Sequence, residues 1–236
     1  MTAPLRRRVV AEFLGSAFLS TAVLGSGIAA AALSPDDIGL QLMENALATA
    51  AALFAIILIF GPVSGGHFNP VISWVDAALG GLSWRDARAY FPAQVAGCIA
   101  GAAVANLMFD LPLLSVSATH RATGSHIFSE VVATAGLVLL IFSLVRSRRG
   151  SVAPAAVGAY IGAAYFFTSS TSFANPAIDA GRMFSDTFAG IAPSSVPGFL
   201  LAQIIGGVLG LLAVRWLYPD PIDDASRERV APTPVR

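Results

Sequence analysis

The residues of this chain that could do chemistry come largely in pairs. Asn69-Pro70-Val71 and Asn175-Pro176-Ala177 are near-copies of each other. An asparagine amide presents two N–H donors and a carbonyl acceptor. A proline fits the first position of a helix, where its missing N–H costs nothing, and the asparagine before it suits the N-cap. Glu12 and Glu130 stand in apolar surroundings, where an ionisable group needs partners. His67 lies two residues before the first asparagine, and Arg182 lies seven after the second. This set donates and accepts hydrogen bonds. It holds no nucleophile–base constellation and no metal-ligand spacing, so neither an enzyme nor a metal or other cofactor is expected. The single cysteine, Cys98, has no partner for a disulfide.

The elements that must hold these residues are membrane-spanning. Of 236 residues, 56% are hydrophobic and 12% charged, where a soluble domain carries about 25% charged. The mean hydropathy is +0.72. A bilayer core about 30 Å thick needs about 20 apolar residues per helix. Six stretches qualify, at about 9–33, 42–60, 84–108, 127–145, 152–167 and 196–218. The first is too long for a signal peptide and reads as a transmembrane helix behind Arg6-Arg7-Arg8. Two apolar segments led by Asn-Pro, about 69–79 and 175–188, are too short to span. Six crossings put both termini on one side, together with every arginine except Arg121 and Arg182. Positive charge favours the cytoplasm, so both termini are expected there.

The pairs also mark an internal repeat. Glu12 corresponds to Glu130, Asn69 to Asn175, and Ala93-Gln94 to Ala202-Gln203. Each half holds three spans and one short segment. Three is odd, so the second half enters the membrane inverted, and paired interrupted segments of this kind mark a midplane site. The expected fold is an all-α membrane protein of six transmembrane helices plus two re-entrant half-helices. One channel domain should cover residues 1–218, with repeats at about 9–108 and 127–218, and residues 219–236 should be a disordered cytoplasmic tail. The half-helices would meet N-terminus to N-terminus, each end carrying about half a positive charge. Irregular backbone at that depth requires protein or a water-filled cavity around it, which implies a pore. Asn69 and Asn175 would donate to a solute there, and the opposed positive ends would repel cations. Two separate N-caps on surface helices are the plainer alternative. Glu12 and Glu130 are expected to hold the re-entrant loops, and His67 to line the cytoplasmic side of the pore.

The motifs resemble the aquaporin and glycerol-facilitator family of major intrinsic proteins. Ala11-Glu12-Phe13, the run from Ser64 to Val71, Ala93-Gln94, Glu130, Asn175-Pro176-Ala177 and Ala202-Gln203 carry the resemblance, which spans about residues 8–218. It implies a homotetramer in the lipid bilayer, with one pore per subunit for small neutral solutes and no nucleic-acid partner. A bacterial inner membrane is the expected location. Val71 stands where the family has alanine, which should alter packing more than chemistry. Ile178 stands where the family has an arginine at the outer constriction. Counting without gaps from each asparagine carries the other constriction positions to Thr49, Ala163 and Ser172. The expected filter of Thr49, Ala163, Ser172 and Ile178 holds no aromatic ring and no charge.

Arg182, four residues past Ile178, shares its helix face one turn outward. Two roles stand open for it: positive potential at the outer mouth, or a pair with Asp179 or Asp186. So wide a filter suits polyols, urea, metalloid acids or arsenicals, possible water passage included. Members without the filter arginine, with a run like Ser185–Gly190, are associated with arsenic detoxification. A water-selective channel and an ion-coupled secondary transporter on inverted repeats are the alternatives.

Overall fold

A computed structural model describes residues 3–219. The helices are α1 (Leu5–Leu33), α2 (Ile38–Ser64), α3 (Pro70–Ala78), α4 (Trp84–Met108), α5 (Gly124–Arg146), α6 (Ala153–Phe167), α7 (Pro176–Arg182) and α8 (Val196–Leu217). Single 3₁₀ turns at Gly150–Val152 and Pro193–Ser195 lead into α6 and α8. The spans α1, α2, α4, α5, α6 and α8 are long and apolar enough to cross a membrane, α6 together with its leading turn. The half-helices α3 and α7 are not. The expected tail falls almost wholly at 220–236, outside the described residues.

Local sequence sets the helix starts. Asp37, Ser83 and Thr123 each accept a backbone N–H three residues on, at 2.9, 3.1 and 3.3 Å. These caps satisfy donors the first turn would leave orphaned. Arg6, Arg7 and Arg8 lie inside α1, because arginine is a good helix former with a stem that packs on apolar surface.

The second half-helix is shorter than expected, ending at Arg182 and not near 188. Beyond it the chain finds partners outside the helix. The N–H groups of Ser115 and Ser117 donate to the carbonyls of Phe184 and Met183. The Ser185 hydroxyl donates to Asn106 Oδ1 at 2.7 Å, and Asp186 Oδ1 accepts from Ala118 N at 2.9 Å.

Small residues let each half close on itself. A Cβ at Gly97 or Gly101 of α4 would stand 2.3 or 2.2 Å from the carbonyls of Phe13 and Ala17 on α1. In the second half, a Cβ at Gly206 of α8 would meet the Val131 carbonyl of α5 at 2.5 Å, and one at Gly210 would meet Val138 at 2.7 Å. Helices without a hydrophobic drive between them rely on such close backbone approach. The α1–α4 and α5–α8 pairs thus act as two walls, with the half-helices docked between them.

Candidate functional site

Each half-helix is delivered by a loop that a buried carboxylate ties down. Glu12 on α1 is fully buried. Its Oε1 accepts from the Ser64 hydroxyl at 2.6 Å and His67 N at 3.0 Å, and its Oε2 accepts from Phe68 N at 2.7 Å and Gln94 Nε2 at 2.8 Å. Glu130 on α5 does the same for the second loop. Its Oε1 accepts from Phe173 N at 2.9 Å, and its Oε2 from Ala174 N at 2.7 Å and Gln203 Nε2 at 2.8 Å. A carboxylate buried at this depth is affordable because its lone pairs are filled by donors.

The loops share one backbone form. Four, three and one residues before the asparagine, φ is positive: Gly65, Gly66 and Phe68 in the first loop, Thr171, Ser172 and Ala174 in the second. Left-handed backbone suits glycine and strains other residues.

The half-helices meet at their N-termini. Asn69 Oδ1 accepts Val71 N at 3.0 Å, and Asn175 Oδ1 accepts Ala177 N at 2.9 Å. The amide groups then cross over. Asn69 Nδ2 donates to the Ala174 carbonyl at 2.7 Å, and Asn175 Nδ2 donates to the Phe68 carbonyl at 2.8 Å. Each amide retains one further N–H, and both asparagines line the central cavity. Pro70, Pro176, Val71 and Ala177 are buried behind them, off the cavity wall. The extra bulk of Val71 is met by Gly207 on α8, where a Cβ would stand 2.6 Å from Val71 Cγ1.

The cavity, about 110 Å³, has two kinds of wall. Leu19 and Val23, Leu53 and Ile57, Leu137 and Ile141, and Val157 and Ile161 present aliphatic stripes from four helices. Spacing by four keeps each pair on one helix face. Facing them are polar groups from the loops and half-helices: His67, Asn69, Ser172, Asn175 and Arg182, joined by Thr49 and Tyr165. His67 Nδ1 lies 3.0 Å from the Ser73 hydroxyl, and its Nε2 lies 3.5 Å from Asp76 Oδ2.

Of the four expected constriction residues, Thr49, Ser172 and Ile178 line the cavity. Ala163 does not; it is exposed on the outside of α6. Tyr165 takes its place, with its hydroxyl 3.2 Å from Thr49 Oγ1. Two residues along a helix turn the side chain by about 200°, so a small error in counting across the irregular loop before Asn175 reverses the face. The stripe Ala153, Val157, Ile161, Tyr165, spaced by four, is the signal that marks the correct face.

Beyond the four expected filter residues, the wall also carries an aromatic ring and a guanidinium. Phe173 lines the cavity, and Arg182 stacks on it with its guanidinium carbon 3.4 Å from the ring centroid. Arg182 is 2% exposed. Its Nε donates to the Ala189 carbonyl. It forms no pair with Asp179 or Asp186: Asp179 Oδ1 accepts from Gln203 at 3.3 Å, and Asp186 binds the Ala118 N–H. Sequence reasoning assigned Arg121 no site role. From the α4–α5 connection it reaches the same ring, with its guanidinium carbon 5.5 Å from the Phe173 centroid. Burial lowers its pKa from the ordinary value. Nothing in its spacing announces it; a connecting loop carries no period.

Residues 1–184 match the model of the family described as Major intrinsic protein. The chain is 52% identical over 213 residues to Aquaglyceroporin AqpS of Rhizobium meliloti (strain 1021), covering 90% of this chain and 91% of the relative. It is 28% identical over 225 residues to Aquaporin Z of Brucella melitensis, covering 89% and 96%. The fold is similar to that of the aquaglyceroporin from Plasmodium falciparum solved by X-ray diffraction. There the TM-score is 0.71 at 22% identity, over 94% of this chain and all of the other.

Proposed function

Because the chain belongs to the major intrinsic protein family and is a passive membrane channel for small uncharged solutes, we propose that it conducts polyols of glycerol size, with urea, uncharged metalloid acids and arsenicals in the same class, and does not restrict itself to water. The observation that carries this reading is the two-sided wall. A polyol turns its C–H edge to the aliphatic stripes while its hydroxyls follow the line of polar groups from His67 through Asn69 and Asn175 to Ser172. Water gains nothing from the aliphatic side. Thr49, Tyr165, Ser172, Ile178 and Arg182 form the constriction in this reading. The relative named as an aquaglyceroporin supports it.

Several roles follow. Asn69 and Asn175 orient the solute at the pore centre, and the two positive helix ends there disfavour cations. Glu12 and Glu130 position the loops. With the arginine-rich face cytoplasmic, His67 lines the inner half of the pore and Arg182 the outer. The subunit works as a homotetramer in a bacterial inner membrane, with both termini inside.

Stopped-flow light scattering of proteoliposomes tests the reading with water, glycerol, urea and arsenite. Glycerol flux well above that of empty vesicles, independent of proton and sodium gradients, is the expected result. Flux of water alone would refute the wide polar–apolar wall as a solute path. Dependence on an ion gradient would instead select a coupled transporter.

A further inference from the structure

We propose that Arg121 and Arg182 together form an oxyanion site at the outer mouth, where a small oxyanion such as sulfate binds and blocks the passage of neutral solutes. The proposal rests on the channel reading above and adds a ligand class to one end of it.

The two guanidinium groups come from different elements and converge on one ring. Arg121 from the α4–α5 connection and Arg182 from the end of α7 both pack on Phe173. Three consecutive carbonyls fix them. Arg121 Nη2 donates to Phe188 O at 2.9 Å and Arg121 Nε to Gly190 O at 2.8 Å, while Arg182 Nε donates to Ala189 O between them. Carbonyls orient these cations without neutralising them. Among the described residues neither arginine lies within ion-pair distance of a carboxylate. The acids nearest in sequence are engaged elsewhere, Asp179 with Gln203 and Asp186 with the Ala118 N–H.

The donors left over point to a ligand. Among the described residues Arg182 makes a single hydrogen bond, through Nε, and its terminal nitrogens have no acceptor there, although the side chain is 2% exposed and on the cavity wall. Two like charges in a partly desolvated mouth attract an anion more strongly than the same charges in water. A guanidinium edge matches two oxygens of a tetrahedral or planar oxyanion. Such an ion goes no further. Below Arg182 the wall becomes aliphatic on one side, and a doubly charged ion would lose its hydration there without a second cation to replace it. It therefore occupies the mouth and excludes the neutral solute.

The test is glycerol flux into proteoliposomes carrying equal sulfate inside and outside, against chloride at the same ionic strength and osmolarity. Wild-type flux should fall saturably with sulfate. Arg121→Gln and Arg182→Gln should each raise the half-blocking concentration at least tenfold, every variant being compared with its own chloride baseline. Arg121→Gln alone suffices if Arg182→Gln does not fold. No sulfate effect on the wild type, or the same block in Arg121→Gln, overturns the site. If glycerol flux is absent even in chloride, the channel reading fails instead. The site is then decided by the melting temperature of the purified protein. A rise with sulfate in the wild type but not in Arg121→Gln supports it, and no rise overturns it.

Discussion

The two halves of this channel share a frame and differ in what the frame carries. In both, a buried glutamate and a glutamine hold a loop with positive φ at the same three offsets, and an asparagine crosses to the opposite loop. The frames diverge two residues before the asparagine and seven after it. The first half has His67 beside Asp76, 3.5 Å apart. The second has Phe173 beneath Arg182, 3.4 Å apart. One pair of positions thus carries an acid with a titratable ring at one mouth, and a base with an apolar ring at the other. Four residues past the asparagine the halves differ again, with the acid now in the second: Gln94 donates to Ser73 at 3.0 Å, whereas Gln203 donates to Asp179 at 3.3 Å. Inversion of a repeated scaffold supplies shape; the side chains at a few equivalent offsets supply direction.

The most severe way to break the comparison is to remove a loop's anchor. Glu12 serves four donors and Glu130 three. A buried donor left unsatisfied costs about 1–3 kcal/mol, so Glu12→Ala should destabilise by roughly 4 kcal/mol or more, and Glu130→Ala by somewhat less. Thermal denaturation of the purified protein checks the order. Equal losses would mean the second loop depends on contacts beyond Glu130.

Next in size is the proposed constriction. Ile178→Arg places a second guanidinium one turn from Arg182 on the cavity wall. Glycerol and urea permeability should fall at least tenfold with water flux reduced less, which corresponds to about 1.4 kcal/mol in the barrier. Unchanged glycerol flux would remove Ile178 from the constriction.

A smaller test addresses backbone strain. Ser172 has φ 50° where the first half uses Gly66 at φ 67°. Ser172→Gly should stabilise the fold by about 1 kcal/mol while altering solute preference, because the hydroxyl leaves the wall. Gly66→Ser should destabilise by a similar amount or more, since its Cβ would lie 3.3 Å from Gly61. A Ser172→Gly variant that is less stable than wild type would show that the side chain supports the loop.

The smallest effect is expected at Ala163. Ala163→Ser on the exposed face of α6 should leave both stability and selectivity within error. A selectivity change there, with none from Tyr165→Phe, would reverse the assignment of the α6 wall.

What the sequence makes legible follows from what is periodic or paired. Six apolar runs, two Asn-Pro elements and two glutamates identify the spans, the inversion and the pore centre, because each depends on length, count or local capping. The α6 wall could not be reached by counting, since a helix phase is lost across an irregular loop; only the fourfold spacing ending at Tyr165 recovers it. The end of the cavity at Arg182 was least legible. Arg121 acts through a loop whose path is set by hydrogen bonds to residues 188, 190 and 195, far away in the chain. The early end of α7 has the same origin, because residues 183–186 exchange helical bonds for partners near 106 and 115–118.

The crossed amides also bear on how the molecule is made. Asn69 finds its acceptor 105 residues downstream, and Phe68 receives its donor from 107 downstream. During synthesis the first half reaches the bilayer with its central loop unfinished, held by partners of its own half such as Glu12 and Tyr90. Only when residues 174 and 175 arrive does either loop acquire its facing partner. The pore centre therefore closes only once the second half has been made, and a chain stopped after the third crossing would expose an incomplete loop for quality-control proteases to find.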